Sequence, residues 1–367
     1  MINKLNNIIK YFFVVFICLF LSYLYSCSNS TDSIKKPIEN TDPEEPEDNS
    51  TTFRNPLSNT SAPDPWVFKD EDTYYVTYTT GVNITLVKTN KMSQINKAVP
   101  RVVWTPPSVG LNSQQIWAPE IHKINDVWYI YYAASNGDNS THRMWVLENK
   151  SSDPLKGTWV DKGELSLPDD KWAIDGSPFE LNGELYFVWS GWEGDSDGRQ
   201  DIYITKMIDP LTATGDRFLL IKPEEEWEIN NNSVAVTEGP QIWFRNNKVF
   251  LFYSAGGCWT DGYAVGAISM GIDKDPLDEA SWSRLQNNPL FVSNVNGNAF
   301  GPGHNSFFKS LDGQEDWILY HANPQSNQGC GSNRTMRMQK IAWDENDLPL
   351  LGVPEKLYKE LDRPGGE

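Results

Sequence analysis

The chain has 367 residues, of which 13% are aromatic (15 Trp, 15 Tyr and 16 Phe), and a formal net charge of −18. So large an acidic surplus, with no Lys/Arg-rich run beyond the N-terminus, excludes a nucleic-acid partner, because phosphate binding needs clustered cations. The length admits one large domain or two ordinary ones, and the aromatics suit both a β-rich core and surfaces that stack on sugar rings.

The first segment reads as a targeting signal. Lys4 and Lys10 flank the apolar stretch YFFVVFICLFLSYLY, which is short for a spanning helix and has the layout of an export signal. It ends in Leu24-Tyr25-Ser26-Cys27, which resembles the lipobox of bacterial lipoproteins. That resemblance implies a signal peptide over residues 1–26, cleavage before Cys27, and a lipid on Cys27 that anchors the protein to the bacterial envelope, on its periplasmic or cell-surface face. Residues 27–52 are polar, acidic and Pro-containing. They have too little apolar surface to order themselves, so a disordered tether is expected.

From residue 53 onward one grammar recurs five times: DPWVFKDEDTYYVTYTT from Asp64, PEIHKINDVWYIYYAAS from Pro119, DGSPFELNGELYFVWSG from Asp175, EGPQIWFRNNKVFLFYSAGG from Glu238, and GPGHNSFFKSLDGQEDWILYHANP from Gly301. Each unit opens on a polar or charged residue beside Pro or Gly. A short apolar strand, a turn, and an aromatic, β-branched strand follow, which together spell a hairpin. Further strands are predicted in HRMWVLENK, DIYITKMID and AVGAISMGI. The repeat length of about 60 residues suits a four-stranded propeller blade. The fold expected for residues 53–367 is therefore all-β, a five-bladed β-propeller forming a single domain.

In such a ring the innermost strands run along the axis, so the polar heads of distant repeats converge on one mouth. Three heads are carboxylates: Asp64, Asp175 and Glu238. Singly, each can be explained by turn formation. Their recurrence points instead to chemistry that needs several acids, such as glycosidic-bond hydrolysis with one carboxyl as acid and another as base. A third carboxylate nearby raises the acid's pKa. Glu120 sits one position out of step with the others and is expected to be structural. Cys258 and Cys330 lie in Gly-rich loops of an exported protein, where a disulfide is chemically allowed; the sequence leaves their pairing open. No CxxC spacing points to zinc.

The motifs PDPWVF, WAPEI, IDGSPF, TEGPQI and GPGHNSF, in this order across nearly the whole domain, resemble those of glycoside hydrolase family 43. The resemblance implies a five-bladed propeller that hydrolyses arabinose- or xylose-containing plant polysaccharides and oligosaccharides with inversion and without a cofactor for the chemistry. It implies Asp64 as general base, Asp175 as the residue that orients the acid and tunes its pKa, and Glu238 as general acid. It further assigns substrate contacts to Trp117, His304 and Arg337, and associates His304 with a bound ion, such as a structural calcium near the axis. YSAGGCWTDGYAVG and GCGSNRT look like the branch that contains exo-acting α-L-arabinofuranosidases, and the chain ends soon after the fifth repeat, unlike many β-xylosidases of the family. The alternatives are β-xylosidase or endo-arabinanase activity on the same scaffold, and a non-catalytic surface propeller that binds glycans. A retaining fructan hydrolase is disfavoured, because no acidic residue precedes a cysteine.

Overall fold

The computed structural model describes residues 50–367, which form one compact unit from Ser50 to Glu367. The signal peptide, Cys27 and nearly all of the expected tether lie outside the described residues. Among the described residues no helix is long and apolar enough to cross a membrane.

Five antiparallel four-stranded sheets follow one another along the chain in strictly sequential order. Blade 1 comprises Trp66–Asp70, Thr73–Thr77, Ile84–Thr89 and Arg101–Trp104. Blade 2 comprises Gln114–Ile124, Val127–Ser135, Arg143–Asn149 and Val160–Glu164. Blade 3 comprises Ala173–Leu181, Glu184–Trp192, Gln200–Asp209 and Thr212–Ile221. Blade 4 comprises Thr237–Arg245, Lys248–Ala255, Ala264–Gly271 and Ser283–Arg284. Blade 5 comprises Phe300–Lys309, Asp316–Asn323, Thr335–Trp343 and Pro349–Leu350. This is the five-bladed propeller that the repeats predict.

The ring is held by apolar packing between blades. Strand residues alternate between the two faces of a sheet. In Lys248–Ala255 this sends Val249, Leu251 and Tyr253 towards Val188 and Ile204 of blade 3. The alternate residues Phe250 and Phe252 go to Phe307, Ile318 and Tyr320 of blade 5. Equivalent clusters join blades 1 and 2 through Tyr75, Leu86, Trp128 and Ile130, and blades 2 and 3 through Tyr131, Val146, Phe187 and Trp189. Val67, Val76, Phe308, Leu319 and Met338 join blade 5 back to blade 1. Every junction thus has its own core, and a fully buried side chain of this size contributes about 1.5–3 kcal/mol.

Closure is reinforced by polar contacts from the N-terminal segment. The side chain of Asn55 donates to the Met338 carbonyl at 2.8 Å and accepts from the Met338 N–H at 3.0 Å, so one amide stands in for a strand partner. Thr52–Arg54 also pairs with Glu360–Asp362, which brings both ends of the described chain together.

Candidate active site

The residues at the axis mouth are placed by a β-bulge repeated from blade to blade. In blade 3 Ile174 pairs with Ser190 and Ser177 with Val188, so Asp175 and Gly176 form an extra step on the inner strand. The same shift separates Trp117 from Glu120, Glu238 from Gln241, and Gly303 from Ser306. The first residue of each bulge has a left-handed backbone, with φ of 41° at Ala118, 56° at Asp175, 58° at Gly239 and 44° at His304. Asp64, φ 55°, holds the matching place just before the first strand of blade 1. A left-handed residue in a bulge re-aims its side chain out of the pleat, here towards the hub.

The bulge corrects one expectation. Asp64, Asp175 and His304 occupy equivalent positions, whereas Glu238 stands one residue earlier, in register with Trp117, Ile174 and Gly303. Glu120 is in register with Ser177, Gln241 and Ser306, one step further down the strand. Glu120 is buried, 3.1 Å from Nε2 of His122, and burial holds its carboxyl well above the usual range even though the Ser177 hydroxyl opposes that. It does not reach the pocket.

Asp64, Asp175 and Glu238 open on one pocket of about 320 Å³, together with Thr79, Trp117, Asn139, Trp172, Gln200, Trp259, His304, Arg334 and the Cys258 and Cys330 sulfurs' residues. That volume lies in the range of small-molecule sites. A more apolar crevice between blades 1 and 5, lined by Leu57, Ala62, Val87, Ile95 and Met336 among others, has no carboxylate.

The three acids meet different partners. Asp64 Oδ1 accepts from Nη1 of Arg334 at 3.0 Å and lies 3.4 Å from Nδ1 of His304. The Asp64 N–H donates to Nδ1 of His321 at 3.1 Å, which requires His321 to be neutral with its proton on Nε2. Burial alone would raise the Asp64 carboxyl, but Arg334 and, after it, His304 and His321 hold it well below the usual carboxylate range. Burial lowers both histidines, so the guanidinium is the full charge that keeps Asp64 ionised. Asp175 Oδ2 accepts from the Gly239 N–H at 3.1 Å. Burial, then the like charges of Glu238 and Asp64, push its carboxyl well up. Glu238 Oε1 accepts from the Tyr263 hydroxyl at 2.7 Å, and burial pushes Glu238 up to about 7, with Asp64 adding to the rise and Tyr263 and Arg334 opposing it.

Trp117 lines the pocket with its ring stacked on His142 at 4.0 Å. His304 lies in the pocket 3.9 Å from Asp175. Arg337 does not. It is fully buried in the third strand of blade 5, where it donates to the carbonyls of Asn298 at 2.8 Å and Ala322 at 3.3 Å. The arginine at the acids is Arg334. The motif SNRTMRM holds both arginines, and the difference is positional: Arg334 precedes the strand Thr335–Trp343 and so stands at the mouth, whereas Arg337 is inside it. Sequence reasoning also missed Tyr263, His321, Trp172 and Trp259. Their signal was weak, because each is reached through loop geometry or from a second strand.

A calcium ion takes six to eight oxygen ligands. No group of three or more His, Cys, Asp or Glu able to hold a metal occurs among the described residues. His304 offers nitrogen, and the carboxylates beside it are engaged by Arg334 and Gly239. The buried side-chain oxygens of Gln241 and Asn305 have no protein partner, but two such oxygens fall well short of that shell. The donor set does not fit a protein-held calcium, and no catalytic step is derived through one. Cys258 and Cys330 are joined in a disulfide beside the pocket.

A propeller that buries carboxylic acids of unlike proton affinity in one axial pocket has the equipment of acid–base glycoside hydrolysis. Residues 53–349 match glycosyl hydrolases family 43, and the chain belongs to that family. It is 35% identical over 315 residues to the extracellular exo-α-(1→5)-L-arabinofuranosidase of Streptomyces avermitilis, covering 83% of this chain and 64% of that protein. It is 33% identical to α-L-arabinofuranosidase 43 of Humicola insolens, covering 79% of this chain and 61% of that one. The chain thus spans less than two thirds of the length of either. The crystal structure of an α-L-arabinofuranosidase from Lactobacillus brevis superposes with a TM-score of 0.78 at 33% identity, covering 84% of this chain and 98% of that one.

Proposed function

We propose that this protein is an inverting α-L-arabinofuranosidase that removes terminal arabinofuranosyl residues from arabinose-containing plant glycans such as arabinan or arabinoxylan. The observation that carries the reading is the opening of Asp64, Asp175 and Glu238 on one pocket, with a guanidinium on Asp64 and none bonded to Glu238. Asp64, kept ionised, takes a proton from water as that water attacks the anomeric carbon. Glu238, kept protonated near neutral pH by burial, gives its proton to the leaving oxygen on the opposite side of the sugar. Asp175 orients the acid, whose high proton affinity comes from burial and from the charge of Asp64. A pocket, rather than an open groove, favours attack at a chain end, and the names of the relatives above support arabinose as the sugar.

The test is a panel of aryl α-L-arabinofuranoside, aryl β-D-xyloside and linear arabinan. The arabinofuranoside should be hydrolysed fastest, and faster release from the xyloside would overturn the substrate assignment. Residues 1–27 are further read as a lipoprotein signal that ends in a lipidated cysteine. Labelling cells with a radioactive fatty acid should mark the wild-type protein, whereas Cys27→Ala should remain unlabelled and leave the membrane fraction. A labelled variant would contradict lipidation at Cys27.

A further inference from the structure

We infer that Trp259, fixed by the Cys258–Cys330 disulfide, is the platform for the sugar on the leaving-group side of the scissile bond and sets the preference for oligosaccharides. The inference rests on the functional reading above and adds a residue to it.

A general acid must touch the leaving oxygen, so the departing sugar lies over Glu238. Glu238 pairs with Ser254 on the neighbouring strand, which ends at Ala255. The chain then turns through Gly256 and Gly257 into Cys258 and Trp259, both of which line the same pocket. Trp259 is therefore five residues beyond the strand partner of the acid and stands at the mouth of the same pocket.

Its exposure differs from that of the other pocket tryptophans. Trp117 stacks on His142, and Trp172 stacks on Trp192 at 4.7 Å with nearly parallel rings. Trp259 is 46% exposed, and among the described residues no ring packs on it. Yet it is held. Its Nε1 donates to Oδ1 of Asn232 at 3.0 Å. A Cβ on Gly257, which has φ +72°, would stand 2.5 Å from the indole, so only glycine lets the ring fold back over the turn. The disulfide ties the preceding residue to blade 5. Asp261 then accepts the Asn327 N–H at 3.0 Å and the Ser326 hydroxyl, and Asn323 holds the Gly329 carbonyl at 2.9 Å. An apolar face held at several points and left open to solvent is pre-organised for a ligand, which lowers the cost of ordering on binding. The C–H face of a sugar ring meets that chemistry at this place.

Steady-state kinetics on α-1,5-arabinotriose, with inhibition by free arabinose measured in parallel, tests the inference. Trp259→Ala should raise KM for the triose at least about 10-fold while the arabinose inhibition constant stays within about 3-fold, because free arabinose occupies the glycone pocket. Trp259→Phe should keep most of the triose affinity. The Cys258→Ser/Cys330→Ser double variant should raise the triose KM in the same direction by less. Equal changes in the triose KM and the arabinose constant would overturn the platform role, as would no change in either. Wild-type protein that leaves the triose intact but cleaves an aryl α-L-arabinofuranoside would overturn this inference alone, whereas failure to cleave either would overturn the functional reading and this inference with it.

Discussion

Glu238 and Asp64 have the same functional group and, on the proposed reading, opposite duties, and the difference lies in what each touches. Arg334 bonds to Asp64 at 3.0 Å, whereas Glu238 has a tyrosine hydroxyl. The proposed mechanism requires Glu238 protonated and Asp64 ionised. The kcat/KM profile should therefore fall as pH rises through about 7, where Glu238 gives up its proton, and its acid limb should lie below the ordinary carboxylate range. Glu238→Gln removes the transferable proton and should lower kcat by about 10²–10⁴-fold on arabino-oligosaccharides. The loss should be smaller on an aryl glycoside whose leaving group needs little protonation, and an equal loss on both would contradict the acid role. Arg334 opposes proton binding at both Asp64 and Glu238. Arg334→Gln should move both limbs of the profile to higher pH, whereas Arg337→Gln should lower the unfolding temperature and leave the limbs in place. The choice between these two arginines was hidden in the sequence, because their spacing alone does not say which one precedes the strand. The three acids were legible because each heads a recognisable repeat.

At the level of the element, the bulge explains why an acid stands at the entrance of a core strand. Asp175 takes the left-handed position and points into the hub, while Gly176, next to it, passes so close to the neighbouring strand that a Cβ would lie 2.3 Å from the Phe187 ring. Gly176→Ala should cost about 1–3 kcal/mol in denaturant unfolding and reduce kcat by displacing Asp175; unchanged stability would show that the strand can shift. The hairpins were readable because alternation and turn residues are local signals. The bulge register was not, since it depends on pairing partners: the repeats alone align Glu238 with Asp64, whereas in the folded ring Gly239 holds that place. The outermost strands of blades 4 and 5, Ser283–Arg284 and Pro349–Leu350, are two residues each and carry no period at all.

For the whole molecule, the five repeats made the ring legible, because a closed ring gives every four-stranded repeat two apolar neighbours. How the ring closes was not legible, since the task falls partly to one asparagine. Asn55→Ala strips both partners from the buried Met338 backbone and should destabilise the domain by about 1–3 kcal/mol with little change in kcat. A large loss of kcat at normal stability would mean that closure reaches the pocket. The ring matters to the proposed chemistry because it brings Asp64, Asp175 and Glu238, far apart in sequence, to one hollow, where on this reading water attacks one face of the sugar and the acid serves the other. Proton NMR of the first sugar released from an α-L-arabinofuranoside tests this directly. The account predicts that β-arabinofuranose forms first and mutarotates later, and α-arabinofuranose as the first product would contradict it.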